Sequence, residues 1–215
     1  MVIQVPKYVY NRTIRGYLPL KYRVLAGVAV RDQPLFDITD EKSDYKKGLI
    51  NAIHERVGEG DTVELVGFGR GVSTVHALES GAAHVTAYDG SASMIRRGTE
   101  TLETNWVNRS SVDVVHTIVG DPIGVYGEHG DVEVTSPSEL SSADVLVLDC
   151  EGAEQSIISG LGTLPETILC ETHPERGVPT RCVVSALDDR YDVSIREYKP
   201  DDTKGKNVVV ASLTE

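Results

Sequence analysis

The sequence predicts an α/β fold, a Rossmann-like and mostly parallel seven-stranded sheet with helices on both faces and an antiparallel edge strand. Three observations carry the prediction. Strand-like and helix-like stretches alternate from residue 62 to residue 189, the pattern of a parallel sheet wrapped by crossover helices. Asp144-Val145-Leu146-Val147-Leu148-Asp149 is apolar on both faces, as a central parallel strand must be. A glycine-rich turn, Gly67-Phe68-Gly69-Arg70-Gly71, joins the first strand of the series to the helix after it.

The elements follow in order. Ser43 is placed to cap a helix over roughly 44–57, with Tyr45, Leu49, Ile53 and Val57 as its apolar stripe and Gly58 as its stop. Thr62–Val66 reads as a strand leading into the glycine turn, and a helix over about 72–80 closes at Gly81. His84–Tyr88 is a second strand ending at Asp89, followed by a helix through Met94, Ile95, Leu102 and Trp106. Val112–Val119 is the third strand and 144–149 the fourth. Glu151-Gly152-Ala153-Glu154 opens a helix carrying Ile157, Ile158 and Leu161. Thr167–Glu171 is the fifth strand, and Pro179 suits the first turn of a helix over about 179–189. Strands near 191–197 and 207–212 lie close enough to form the closing antiparallel pair.

Composition bounds what such a fold can be. The 215 residues suit one domain, with 40% hydrophobic and 25% charged residues. No apolar run approaches the ~20 residues of a membrane span, and no basic start precedes an apolar stretch, so a cytoplasmic protein is expected. Cys150, Cys170 and Cys182 are too scattered for a disulfide framework or a zinc site and read as small buried thiols. The net charge of -12 makes this an acidic protein, opposes non-specific binding to nucleic acid or anionic lipid, and fits a halophilic composition. Residues 1–31 nevertheless carry six Lys and Arg and no Asp or Glu. A basic, Tyr-rich segment over 1–42, packed on or capping the core, is therefore distinguished from the main domain over 43–215.

In open α/β sheets the ligand lies beyond the carboxyl ends of the strands, which points to the segments after Val66, Tyr88, Val119, Leu148 and Cys170. Gly67, Phe68, Gly69 and Gly71 form a turn that lets backbone approach a ligand and aims helix N–H groups at it. A dinucleotide fingerprint needs Gly or Ala at position 72, where Val72 stands. A third glycine at 71 better suits a ligand without a pyrophosphate, such as S-adenosylmethionine. Asp89, followed by Gly90 and about twenty residues beyond the turn, is placed to accept hydrogen bonds from ribose hydroxyls. The competing reading is a turn-forming Asp-Gly pair. Asp121, after the third strand, is placed to meet the adenine amino group, or is a polar Asp-Pro turn.

Val147-Leu148-Asp149-Cys150-Glu151-Gly152-Ala153-Glu154, with Ser159-Gly160 downstream, resembles the D-V-E-G-A-E signature of FkbM-type methyltransferases. Glu171-Thr172-His173 is similar to the acid and His that follow the next strand in that family, and Thr135–Leu140 to the segment before the fourth strand. The resemblance covers roughly residues 60–175. It implies a class I methyltransferase fold, S-adenosylmethionine as cofactor, and O-methylation of a hydroxyl on a small molecule or glycan. Leu65 departs from the class I pattern, which has an acid two residues before the first glycine; Glu64 is one position off and should face the other way.

Asp149 and Glu151 flank the expected methyl position and are placed to bind the acceptor hydroxyl or to offset the burial of a sulfonium. His173 is the general-base candidate, because its reference pKa is near neutrality. Simpler readings exist: Glu151 and Glu154 can serve a helix dipole, and His173 can be a loop histidine. Asp149, Glu151, Glu171 and His173 can also bind a hard divalent cation, a minor alternative. The cations and tyrosines of residues 1–31 suit RNA, or neutralise an acidic body. Three functions therefore stay open: a small-molecule or glycan O-methyltransferase, an RNA methyltransferase using the basic segment, and a non-catalytic nucleotide-binding module. The absence of a GxSxG elbow disfavours a serine hydrolase.

Overall fold

A computed structural model describes residues 21–32, 41–120, 132–140 and 143–214, together with 9, 10, 13, 14, 17 and 18. The strands are β1 (Lys21–Leu25), β2 (Val28–Asp32), β3 (Glu41–Lys42), β4 (Thr62–Val66), β5 (His84–Asp89), β6 (Val112–His116), β7 (Ile118–Val119), β8 (Val134–Thr135), β9 (Val145–Leu148), β10 (Thr167–Glu171), β11 (Tyr191–Glu197) and β12 (Asn207–Leu213). The helices are α1 (Lys47–Arg56), α2 (Val72–Glu79), α3 (Ala92–Thr104), α4 (Glu154–Gly160) and α5 (Thr180–Ala186).

Seven strands form one sheet in the order β11-β12-β10-β9-β4-β5-β6. β4, β5, β6, β9 and β10 run parallel, and the order reverses between β4 and β9. The closing pair makes the antiparallel edge. Within it β12 is the reversed strand, hydrogen-bonded antiparallel to both β10 and β11.

Strand alternation divides the core in two. Val63, Leu65, Val85, Ala87, Val145, Val147, Leu169, Val208 and Val210 face α1, α2 and α3. Val66, Leu146, Leu148, Ile168, Cys170, Val209 and Ala211 face α4 and α5. The described part of the basic segment belongs to this core: Leu25, Val28 and Val30 of the β1–β2 hairpin are buried in the first cluster. Asn105, just after α3, ties β2 down by accepting from Ala29 N–H and donating to Ala29 O.

Several boundaries differ from the sequence reading, each for a local reason. α1 begins at Lys47, not after a Ser43 cap; Lys46 is left-handed (φ 47°), and Gly48 N–H donates to Tyr198 O at 2.7 Å. Docking on that loop holds Tyr45 and Lys46 out of the helix. The third strand breaks at Thr117, whose N–H donates to Asp89 O and whose hydroxyl donates to Glu133 O. β7 thereby leaves the main sheet to pair with β8. Trp106 lies beyond the end of α3 and is 93% exposed, not on a buried stripe. Glu151 and Gly152 have positive φ and precede α4, which starts only at Glu154. Pro179 caps α5 from outside its first turn, and that helix ends at Ala186. Among the described residues no helix is long and apolar enough to cross a membrane.

Candidate functional site

A cavity of about 370 Å³ opens at the carboxyl ends of β4, β5, β9 and β10. It lies where the strand order reverses, as expected for an open sheet, and its volume is within the ~300–1,000 Å³ of small-ligand sites.

One end is built from the glycine turn. Gly67 has φ 99°, and a β-carbon there would collide with the carbonyl oxygen of Asp149. Only glycine lets the turn pass this close to the end of β9. Gly69 N–H donates to Asp89 Oδ2 at 2.8 Å, and Ser91 N–H donates to Asp89 Oδ1 at 2.7 Å. The turn and the carboxylate predicted to converge do converge. Burial raises the Asp89 pKa against the opposing pull of these two donors. Each oxygen has accepted one hydrogen bond and keeps a second lone-pair direction. Gly67, Gly69, Asp89 and Gly90 line the cavity beside Met94, Ile118 and Val119.

Phe68 and Gly71 do not line it, and both depart from the expected cofactor role. Phe68 is buried in the core, its ring packed where a side chain on Gly98 of α3 would stand. Gly71 is the left-handed N-cap of α2. Both shape the turn from behind. Asp121 lies outside the described residues. Leu65 is fully buried in the core. Glu64 does face the other side, as alternation requires, and accepts from the Tyr88 hydroxyl at 2.8 Å.

The other end is ionic. Asp149, at the tip of β9, is buried, and its Oδ2 pairs with Lys46 Nζ. Glu171, at the tip of β10, is buried and accepts from Lys206 Nζ at 2.7 Å. Tyr45 and Tyr198 flank the lysines, and all six residues line the cavity. Glu151 lines it too, partly exposed, with its carboxylate 3.6 Å from Arg176 Nε.

His173 stands behind this wall. It is fully buried and absent from the lining. Its Nδ1 bonds Glu154 Oε1 at 2.6 Å, while Nε2 faces Glu171 Oε1 at 3.4 Å and Asp149 Oδ1 at 3.9 Å. Burial works against a charged ring, but Glu154 and Glu171 outweigh it and hold His173 up to about 9. Fully buried behind the wall and held toward its protonated form by two carboxylates, His173 does not reach an acceptor in the cavity, which contradicts the general-base expectation. Glu171 is held down to about 2: burial opposes its charge, and His173, Lys46 and Lys206 overcome that. Glu154 stands in the first turn of α4, as the helix-dipole reading expects, and is also fully buried beside Ile157 and Ile158. Lys46, His173 and Lys206 balance Asp149, Glu154 and Glu171 in charge. The hydrogen bonding does not close: among the described residues His173 Nε2, Glu154 Oε2 and Glu171 Oε2 are buried without a partner, each at a cost of about 1–3 kcal/mol. Burial also pushes the Cys150 and Cys170 thiols well up, so neither is an activated nucleophile.

Sequence reasoning missed Lys46, Lys206, Tyr45 and Tyr198. For Glu154 a signal existed, since positions 154, 157 and 158 fall on one helical stripe. The lysines gave none, being held by loops whose path depends on tertiary docking.

No protein-family model matches the chain. A curated relative, the ribosomal protein L11 methyltransferase of an Exiguobacterium species, is 34% identical over 127 residues. The match takes in 59% of this chain but only 38% of that enzyme's length. Among solved structures, the ribosomal protein L11 methylase of Lactobacillus delbrueckii subsp. bulgaricus superposes with a TM-score of 0.54 at 13% identity, covering 79% of each chain. The Pyrococcus abyssi tRNA (uracil-54, C5)-methyltransferase, solved with S-adenosyl-L-homocysteine, gives 0.58 at 18% identity over 92% of this chain and 45% of its own. These likenesses show the fold, that of the class I methyltransferases.

Proposed function

We propose that the protein is an S-adenosylmethionine-dependent methyltransferase whose acceptor is RNA or another ribosomal component. The observation that carries the first half is the meeting of the Gly67–Gly69 turn and the Asp89 carboxylate at one wall of the cavity, 2.8 Å apart. Asp89 has lone pairs left for both ribose hydroxyls. Met94, Ile118 and Val119 offer an apolar slot for the adenine, and Asp121 is assigned to its amino group. S-adenosylmethionine, when bound, supplies a methyl group already activated on a sulfonium. The chain's own task is then to hold an acceptor in line beside Asp149 and Glu151. Lys46 pairs with the Asp149 carboxylate and fixes it, and His173 positions Glu171 from behind. Tyr45 and Tyr198 shape the acceptor mouth.

The acceptor class rests on what the relatives are named for, ribosomal protein L11 and tRNA, and on the six cations of residues 1–31. The Asp149–Glu154 block favours a second reading, FkbM-like O-methylation of a small molecule or glycan.

Calorimetry with S-adenosylhomocysteine and with NAD tests the cofactor; binding of NAD alone would end the transferase reading. For the acceptor, RNA binding is compared between the full chain and a chain lacking residues 1–20. The deletion stops there because Leu25, Val28 and Val30 are core. A steep salt dependence that flattens on deletion supports RNA, and indifference to deletion and salt favours the second reading.

A further inference from the structure

We propose that Asp149, Glu171 and His173 hold a divalent cation of the Mn²⁺ or Mg²⁺ class at the floor of the cavity, with Glu154 aiming the histidine. Their ligating atoms lie within 4.8 Å of one another and all three residues are buried. Two ligands at right angles on such a cation, at bond lengths of about 2.1–2.4 Å, stand about 3.0–3.4 Å apart. His173 Nε2 is 3.4 Å from Glu171 Oε1 and 3.9 Å from Asp149 Oδ1, so the imidazole already stands near ligand spacing from both carboxylates.

The second observation is independent of the acids. His173 Nε2 is fully buried, points between the two carboxylates and has no hydrogen-bond partner among the described residues; Glu171 Oε2 is likewise unpartnered there. Buried polar atoms left open together mark a missing partner. On the far side of the ring, Glu154 Oε1 grips Nδ1 at 2.6 Å, the carboxylate–histidine arrangement that orients a metal-binding imidazole. The lysines do not consume the site. Lys46 takes Asp149 Oδ2 and leaves Oδ1 toward His173; Lys206 takes Glu171 Oε1 and leaves Oε2.

Two carboxylates and one imidazole suit an octahedral cation with its remaining positions open to the cavity. Glu151, paired with Arg176 outside the cluster, is not among the ligands. The cation takes the place of the His173 Nε2 proton, which leaves to solvent on binding; with the cation present the cluster carries an excess positive charge, which an acceptor bearing an ionisable oxygen would meet. That last step rests on the transferase reading; cation binding itself does not.

The test titrates the full chain with Mn²⁺ and follows the sharp resonance of the free ion. One equivalent should be taken up with a dissociation constant below about 1 mM, and excess Mn²⁺ should raise the melting temperature of the unaltered protein. Glu154→Gln should weaken uptake about 10- to 100-fold, and His173→Gln should abolish it, with far-ultraviolet dichroism checking that each variant is folded. No uptake and no thermal shift in the unaltered protein overturn the proposal, as does unchanged uptake in folded His173→Gln. Calorimetry with S-adenosylhomocysteine separates the two readings: nucleoside binding without Mn²⁺ uptake removes only the cation, and uptake without nucleoside binding removes only the transferase.

Discussion

Replacing Asp89 with Asn separates a ligand-binding carboxylate from a turn-forming one. In the folded chain Asp89 accepts from Gly69 N–H and Ser91 N–H, and the amide can accept only one of these, turning a donor toward the other. Losing a charge-assisted hydrogen bond costs about 1.5–3 kcal/mol. The same change removes a charge whose burial raises the carboxyl pKa, which offsets part of that loss. The net expected is about 1 kcal/mol, or about 2–4 °C in melting temperature for a chain of this size. Nucleoside binding has no such offset. The ribose hydroxyl facing the substituted oxygen loses a charged acceptor, and S-adenosylhomocysteine should bind about 10- to 150-fold more weakly, again about 1.5–3 kcal/mol. Differential scanning fluorimetry gives the first quantity and calorimetry the second. Affinity within twofold of the parent, with a melting temperature well below the range given, would refute the ribose role and leave Asp89 as a turn residue.

Three further outcomes are expected. Leu25→Ala, in the β1–β2 hairpin and 3% exposed, should cost about 2–5 kcal/mol; a urea midpoint unchanged from the parent would show that the hairpin is not part of the core. Gly67→Ala places a β-carbon against the Asp149 carbonyl at φ 99° and should cost at least about 1–3 kcal/mol while reducing S-adenosylhomocysteine affinity, so an alanine variant that binds like the parent would dismiss the close approach. Burial lowers the pKa of His76, which meets His54 at 3.0 Å between α1 and α2. The unfolded chain then binds the proton more readily, so stability should fall as pH drops through 6.5, and His76→Gln should flatten that part of the melting profile.

The parallel strands were legible because burial on both faces leaves continuous apolar runs, as in 145–148, and because each run ends at a glycine or an acid. The glycine turn and Asp89 were legible for the same reason: tight backbone approach permits few residue types. What could not be read depends on contacts distant in sequence. Nothing near Ser43 announces that Gly48 docks on Tyr198, so the start of α1 and the place of Lys46 were misjudged. Phe68 sits in a motif usually read as ligand-facing, yet its ring fills the space left by Gly98, thirty residues away. The intrinsic proton affinity of His173 does not describe it in place, because the buried carboxylates of Glu154 and Glu171 hold its pKa up against burial and Lys206. That Asp149, Glu171 and His173 share one wall follows from strand adjacency; that Glu154 and Lys206 join them follows only from packing.

The reversed strand β12 has a consequence for how the molecule assembles. Among the described residues β11 shares a ladder with β12 alone, and Lys206 immediately precedes β12. A folding intermediate with β12 unseated would therefore lack its outer edge and one of the two lysines that hold the ionic wall in place. Completion of the edge and maturation of the pocket are expected together: in a refolding experiment the competence to take up ligand should emerge with the non-local β10–β12 pairing, not with collapse of the central strands.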